Sequence, residues 1–146
     1  MGYRSEVEIM VYGDPLKLDV YMAKWIAESR EYIKECVKSK AEDGYDATDE
    51  FEEDLTHLKT TMNGDDKVVA ISFEDVKWYD GYTLVTVWNN LWQNHPESLN
   101  AEFARIGEHD DDIEISQTGE YCDYLLQVSR TIVRDLSLDQ PYKLGE

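Results

Sequence analysis

The chain has 146 residues and carries 32 Asp and Glu against 14 Lys and Arg, a formal charge of −18. Phosphate backbones and anionic membranes attract Lys and Arg and repel such a surface, so direct nucleic-acid binding and membrane binding are not expected. Apolar residues at 42% and aromatics at 12% are too abundant for a disordered acidic chain, and the length fits one domain over residues 1–146 with a real core.

From the N-terminus, Met-Gly-Tyr-Arg-Ser-Glu shows no basic-then-apolar signal pattern, which places the expected site of action in the cytoplasm. No apolar run reaches the roughly 18 residues that would span a bilayer. Residues 5–12 alternate, with Val7, Ile9 and Val11 on one face and Glu6, Glu8 and Met10 on the other, the pattern of a half-buried strand. Gly13 ends it. Asp14 then reads as an N-cap and Pro15 as a first helical residue, opening a long helix to about Ser39. Leu18, Met22, Trp25, Ile26, Ser29, Ile33, Cys36 and Val37 form its apolar stripe.

An acidic, irregular loop is expected over about residues 41–56, with Phe51, Leu55 and Leu58 able to anchor one helical turn. Asn63-Gly64-Asp65-Asp66 marks a hairpin between residues 57–62 and 67–73, where Val69, Ile71 and Phe73 alternate. A second helix is expected from about Gly81 to His95, stopped by Pro96 and faced by Leu84, Trp88, Leu91 and Trp92. Residues 101–107 read as a strand. Residues 122–134 read as one long final strand with Tyr124, Leu126, Val128 and Ile132 alternating, followed by a polar tail over about 135–146. The order β-α-β-β-α-β-β predicts an α+β fold: a mostly antiparallel sheet of about five strands with two helices on one face. A doubly wound nucleotide-binding fold is the weaker alternative, because Gly-Asp-Pro stands where a glycine-rich turn would be needed.

The glycines are scattered singly and cannot form a phosphate-wrapping loop. His57, His95 and His109 show no metal-ligand spacing, Cys36 and Cys122 are far apart and read as reduced thiols, and the acidic runs do not match a calcium loop. No catalytic residue, metal or cofactor is therefore nominated, and the chain is expected to act by binding. The arginines are more selective markers. Arg105 lies in a strand of small and apolar residues, and Arg130 falls on the apolar register of the last strand. Each needs a partner. Pairing with Glu108 or with the run Asp110, Asp111 and Asp112 is one reading; a small anion or nucleotide held by Arg105 and Arg130 is the other. The segment 75–82 brings Trp78, Tyr79 and Tyr82 into one loop, either as core packing or as an exposed protein-binding cluster.

Four segments together carry a resemblance: Gly2-Tyr3-Arg4-Ser5-Glu6-Val7, Glu74-Asp75-Val76-Lys77-Trp78-Tyr79-Asp80-Gly81-Tyr82, Phe103-Ala104-Arg105-Ile106-Gly107-Glu108 and Val128-Ser129-Arg130-Thr131-Ile132. In this order the chain resembles a group of small proteins of unassigned activity encoded by tailed bacteriophages. Residues 16–67 take no part in the likeness, and the group supplies no catalytic residues to carry over. The resemblance implies an accessory protein in the host bacterial cytoplasm, an anti-defence or host-takeover factor that binds and inhibits a host protein. Carboxylates on a rigid surface can substitute for phosphates, so the expected partner is a host protein with a basic, nucleic-acid-binding surface. The candidate contact residues are Glu42, Asp43, Asp46, Asp49, Glu50, Glu52, Glu53, Asp54, Asp110, Asp111, Asp112 and Glu114 for steering, with Trp78, Tyr79 and Tyr82 for buried contact.

Overall fold

The computed structural model describes residues 3–39, 46–109, 111–128, 131–138 and 140–144. Alternating apolar residues build strand β1 (Ser5–Gly13), which lies between β3 (Asp66–Val76) and β4 (Leu99–Ile106) and pairs antiparallel with both. Helix α1 (Pro15–Ser39) follows at once. The Asp14 carboxylate accepts the Lys17 N–H at 3.1 Å, which satisfies one of the free donors of the first turn. The buried stripe of α1 is Leu18, Met22, Trp25, Ile26, Ser29, Ile33 and Cys36.

The acidic stretch that reads as irregular contains more order than one turn. Ala47, Phe51, Leu55 and Leu58 are buried, and this spacing organises α2 (Thr48–Leu55) against α1. Strand β2 (Lys59–Asn63) turns into β3 through Gly64 and Asp65, one residue later than the Asn-Gly pair suggests, because Asn63 already pairs with Asp66. Gly64 has φ +64°, the conformation that a two-residue hairpin loop asks of its first position. Helix α3 (Thr83–Gln93) is shorter at each end than the sequence predicts. Strand β5 (Ile113–Thr118), hidden from sequence reading by the carboxylates around it, pairs with β4 at the sheet edge.

The expected final strand over 122–134 is instead two short ones. β6 (Leu126–Val128) and β7 (Ile132–Arg134) pair antiparallel in a sheet of their own. Tyr124, expected on the apolar face, is exposed and holds a positive φ of 53°. The tail is also not wholly free. β8 (Gln140–Pro141) pairs with β2, and Tyr142 is buried beside it.

Among the described residues this makes three helices, a six-stranded antiparallel sheet in the order β5-β4-β1-β3-β2-β8 and a two-stranded sheet. The helices cover one face, where Val7, Ile9, Trp25, Phe51, Ile71, Trp88 and Phe103 share a core. The other face is covered as well. Met10, Tyr12, Val68, Ala70 and Ala104 pack against Leu125, Leu126 and the β6–β7 hairpin. β1 is therefore buried on both faces, and the half-buried expectation is corrected: Glu8, read as solvent-facing, is 4% exposed. No described helix is long and apolar enough to cross a membrane.

Candidate binding surface

β3 runs out at Val76, and the loop that follows carries the aromatic cluster into α3. Trp78 is half-buried, with its ring 5.6 Å from Phe73 and 6.5 Å from Phe103 between centroids. Core packing and partial exposure therefore hold for the same side chain. The Tyr79 hydroxyl accepts the Tyr3 N–H, and its ring meets Tyr82 edge-on at 5.3 Å. Tyr82 is exposed, at the N-cap position of α3.

Trp78 lines two clefts. One, of about 500 Å³, lies between α2, the end of β3 and the start of α3, with Glu50, Asp54, Phe73, Tyr82 and Trp88 among its walls. The other, of about 510 Å³, is lined by Tyr3, Tyr79, Trp92, Phe103, Arg105 and Asp112. The fold thus sets the aromatic loop between two acidic segments that are distant in sequence.

In the second cleft the guanidinium of Arg105 is paired with two carboxylates. Nε donates to Glu114 Oε1 at 2.8 Å and Nη1 donates to Ser5 Oγ and Asp112 Oδ2, each at 3.1 Å. Nη2 reaches Asp112 Oδ1 at 2.5 Å and Glu114 Oε1 at 2.6 Å. A guanidinium has five N–H groups; four of them make these hydrogen bonds, and Nη2 also lies in ion-pair contact with Glu114. The Tyr3 hydroxyl donates to Asp112 Oδ2 at 2.5 Å. Arg105 and Tyr3 together hold the Asp112 carboxyl below the usual carboxylate range. Gly107 makes this approach possible, since a Cβ there would lie 2.0 Å from Asp112 Oδ2 and 2.3 Å from the Tyr3 hydroxyl.

Two expectations change as a result. Arg105 is paired with two internal carboxylates, which works against the anion reading at that residue; Arg130 lies outside the described residues. Asp112 is not a free steering charge, because its carboxylate closes this internal cluster, and Glu114 shares the same arginine.

The α2 segment divides in the same way. Asp46 accepts the Thr48 N–H at 3.0 Å and its hydroxyl at 2.6 Å, and Glu52 binds Arg30 through both oxygens at 2.7 and 2.8 Å. Asp49, Glu50 and Glu53 face solvent, as does Asp111 beyond β4. Asp54 is half-buried, and burial, reinforced by Glu50, pushes its carboxyl up to about 6. Glu42, Asp43 and Asp110 lie outside the described residues. Among the described residues no group of His, Cys, Asp and Glu side chains is placed to hold a metal ion.

Sequence reading passed over Tyr3 and placed Trp88 only in a helix's apolar face. Both line the clefts, and nothing in their local pattern separates a cleft wall from a core position. No family model matches the chain, and neither a curated protein nor a solved structure matches it.

Proposed function

We propose that this is a small acidic accessory protein of the kind tailed bacteriophages encode, which binds a host protein in the bacterial cytoplasm and inhibits it by occupying a basic, nucleic-acid-binding surface. It acts by binding rather than by catalysis. The observation that supports this reading is the placement of Trp78 and Tyr82 beside Glu50 and Asp54, with the Arg105–Asp112–Glu114 cluster on the other side of Trp78. Interfaces that matter energetically join a desolvated aromatic anchor to a polar rim, and this surface has both parts.

The charges contribute chiefly to encounter. A chain of −18 draws a basic patch toward it at rates well above those of neutral surfaces, and this steering fades as the Debye length falls from about 10 Å at 0.1 M salt to about 3 Å at 1 M. Asp49, Glu50, Glu53 and Asp111 are the exposed carboxylates in the right places. The bound state is then held by Trp78 and Tyr82. The test is capture of a partner from bacterial lysate followed by competition with DNA or RNA. Release of the partner by nucleic acid supports the reading, and simultaneous binding of both removes it.

A further inference from the structure

The cleft between α2 and α3 contains a pair of polar groups that the fold alone leaves unresolved. Trp88 is 1% exposed and its indole Nε1 closes no full hydrogen bond, although the Asp54 carboxyl is within its reach. It faces the Asp54 carboxyl, whose ionised form it favours, and both residues line the cleft. Glu50 is one helical turn before Asp54 and lines the same cavity. Phe73, Trp78 and Tyr82 supply aromatic walls. Arg4 and Lys77 also line the cleft, Arg4 donating to the Asp75 carbonyl at 3.2 Å, and His57 acts on Asp54 as an opposing charge, but the carboxylates of Glu50, Asp54, Glu74 and Asp75 outnumber the cations that line it.

A half-buried carboxyl set among more carboxylates than cations, with an indole N–H turned toward it, is stabilised by a further cation. Once ionised and paired, Asp54 can accept from Trp88 with one oxygen and from the ligand with the other. A guanidinium suits this cavity better than an ammonium, because its planar fork spans two carboxylates and its face stacks on an indole or phenol ring.

We infer that this cleft receives an arginine side chain of the partner protein, with Asp54 and Glu50 accepting its N–H groups and Trp78 or Tyr82 stacking on its plane. The inference rests on the partner-binding reading above and specifies its anchor point.

The experiment titrates the blocked tripeptide acetyl-Gly-Arg-Gly-amide into the full chain, read by the indole N–H resonances of the tryptophans and by calorimetry. The control peptide carries citrulline, which keeps the shape and removes the charge. The expected result is a saturable shift of the Trp88 and Trp78 indole signals, with the citrulline peptide binding about tenfold more weakly. Asp54→Asn should weaken the arginine peptide by about the same factor. If that variant does not fold, Glu50→Gln, on the exposed side of α2, should weaken it by about threefold. Equal binding of the two peptides, or an unmoved Trp88 signal at saturation, overturns the inference. Polylysine serves as the separating arm. If it binds in a salt-sensitive way while the arginine peptide leaves Trp88 unmoved, the cleft inference falls and the surface reading stands. If polylysine does not bind while the arginine peptide shifts Trp88, the cleft stands and the steering surface falls.

Discussion

The Tyr12 hydroxyl donates to Glu102 Oε2 at 2.6 Å in the interior of the sheet's second face. Glu102 is 0% exposed, and among the described residues no basic side chain is one of its hydrogen-bond partners. Its oxygens accept from further donors: the N–H groups of Leu125 and Leu126, each at 2.9 Å, and the Gln117 amide at 2.8 Å. Tyr12 in turn accepts the Asp123 N–H at 2.6 Å. One carboxylate thus pins the C-terminal segment across the back of β1 and β4. Glu102→Ala should cost about 3 kcal/mol or more, since several buried donors lose their acceptor at once, and Tyr12→Phe about 1–2 kcal/mol. Urea denaturation measures both.

Leu126 is buried on the same face, packed in the cluster of Met10, Tyr12 and Ala104, with its N–H donating to Glu102. Leu126→Asp places a second carboxylate beside the first in a buried face, where the cross-strand partner Arg134 is already shared with Glu8 at 3.5 Å. Its cost approaches the whole margin of about 5–15 kcal/mol that a domain of this kind possesses. The variant should lose its near-ultraviolet circular dichroism at 25 °C; a cooperative transition near that of the parent would contradict the placement.

Glu8 supplies a pH dependence with a definite sign. Burial pushes its carboxyl from 4.5 up to about 7, opposed by the Ser72 hydroxyl and by Arg134 at 3.5 Å and reinforced by Glu6. The folded state binds this proton more tightly than the unfolded chain does. The group's contribution to stability is therefore full below pH 4.5 and is lost as pH rises toward 7, by about 3 kcal/mol in total. Glu8→Gln should remove that slope. The difference in unfolding free energy between parent and variant, followed from pH 4 to 8, should drift in the variant's favour and level off above about 7.

Neutralising carboxylates should have opposite effects at the two acidic segments. Asp112→Asn weakens the pairing to Arg105 and the bond from Tyr3, and should lower stability by about 1–3 kcal/mol, not leave the fold untouched as an exposed acidic run would. The triple change Asp49→Asn, Glu50→Gln and Glu53→Gln removes like charges from the exposed side of α2. It should hold or raise the melting temperature while slowing association with a basic partner several-fold at low salt. Stopped-flow association and thermal melts check the two halves together.

The elements that announce themselves by period and punctuation were legible. Asp14 and Pro15 with the stripe from Leu18 to Cys36 specified α1, and Gly64 between two β-branched runs specified the β2–β3 hairpin. Burial of the sheet's second face was not legible. Glu6, Glu8 and Met10 alternate with Val7 and Ile9 as a solvated face would, and only the return of residues far along the chain covers them. The break between β6 and β7 was hidden for a related reason. A hairpin preserves the alternation of Leu126, Val128 and Ile132, so a period of two cannot tell one long strand from two short ones without a Gly, Pro or Asn at the turn.

For the candidate surface, composition pointed to the acidic segments and the aromatic loop but not to how they share the work. Arg105 was legible as a residue needing a partner, because it stood alone among small apolar neighbours. Pairing with the run Asp110–Asp112 was legible too, and Asp112 is the member that binds it; that Glu114 would share the arginine, and that Asp54 would turn toward Trp88, depends on contacts between elements that sequence spacing does not encode.

The most direct test of the central claim measures DNA binding by a captured basic partner as this protein is added, at 0.1 M and at 1 M salt. The account predicts mutually exclusive binding, with this protein displacing DNA and its own association slowing steeply at the higher salt. A stable ternary complex of partner, DNA and this protein, with affinity indifferent to salt, would contradict it.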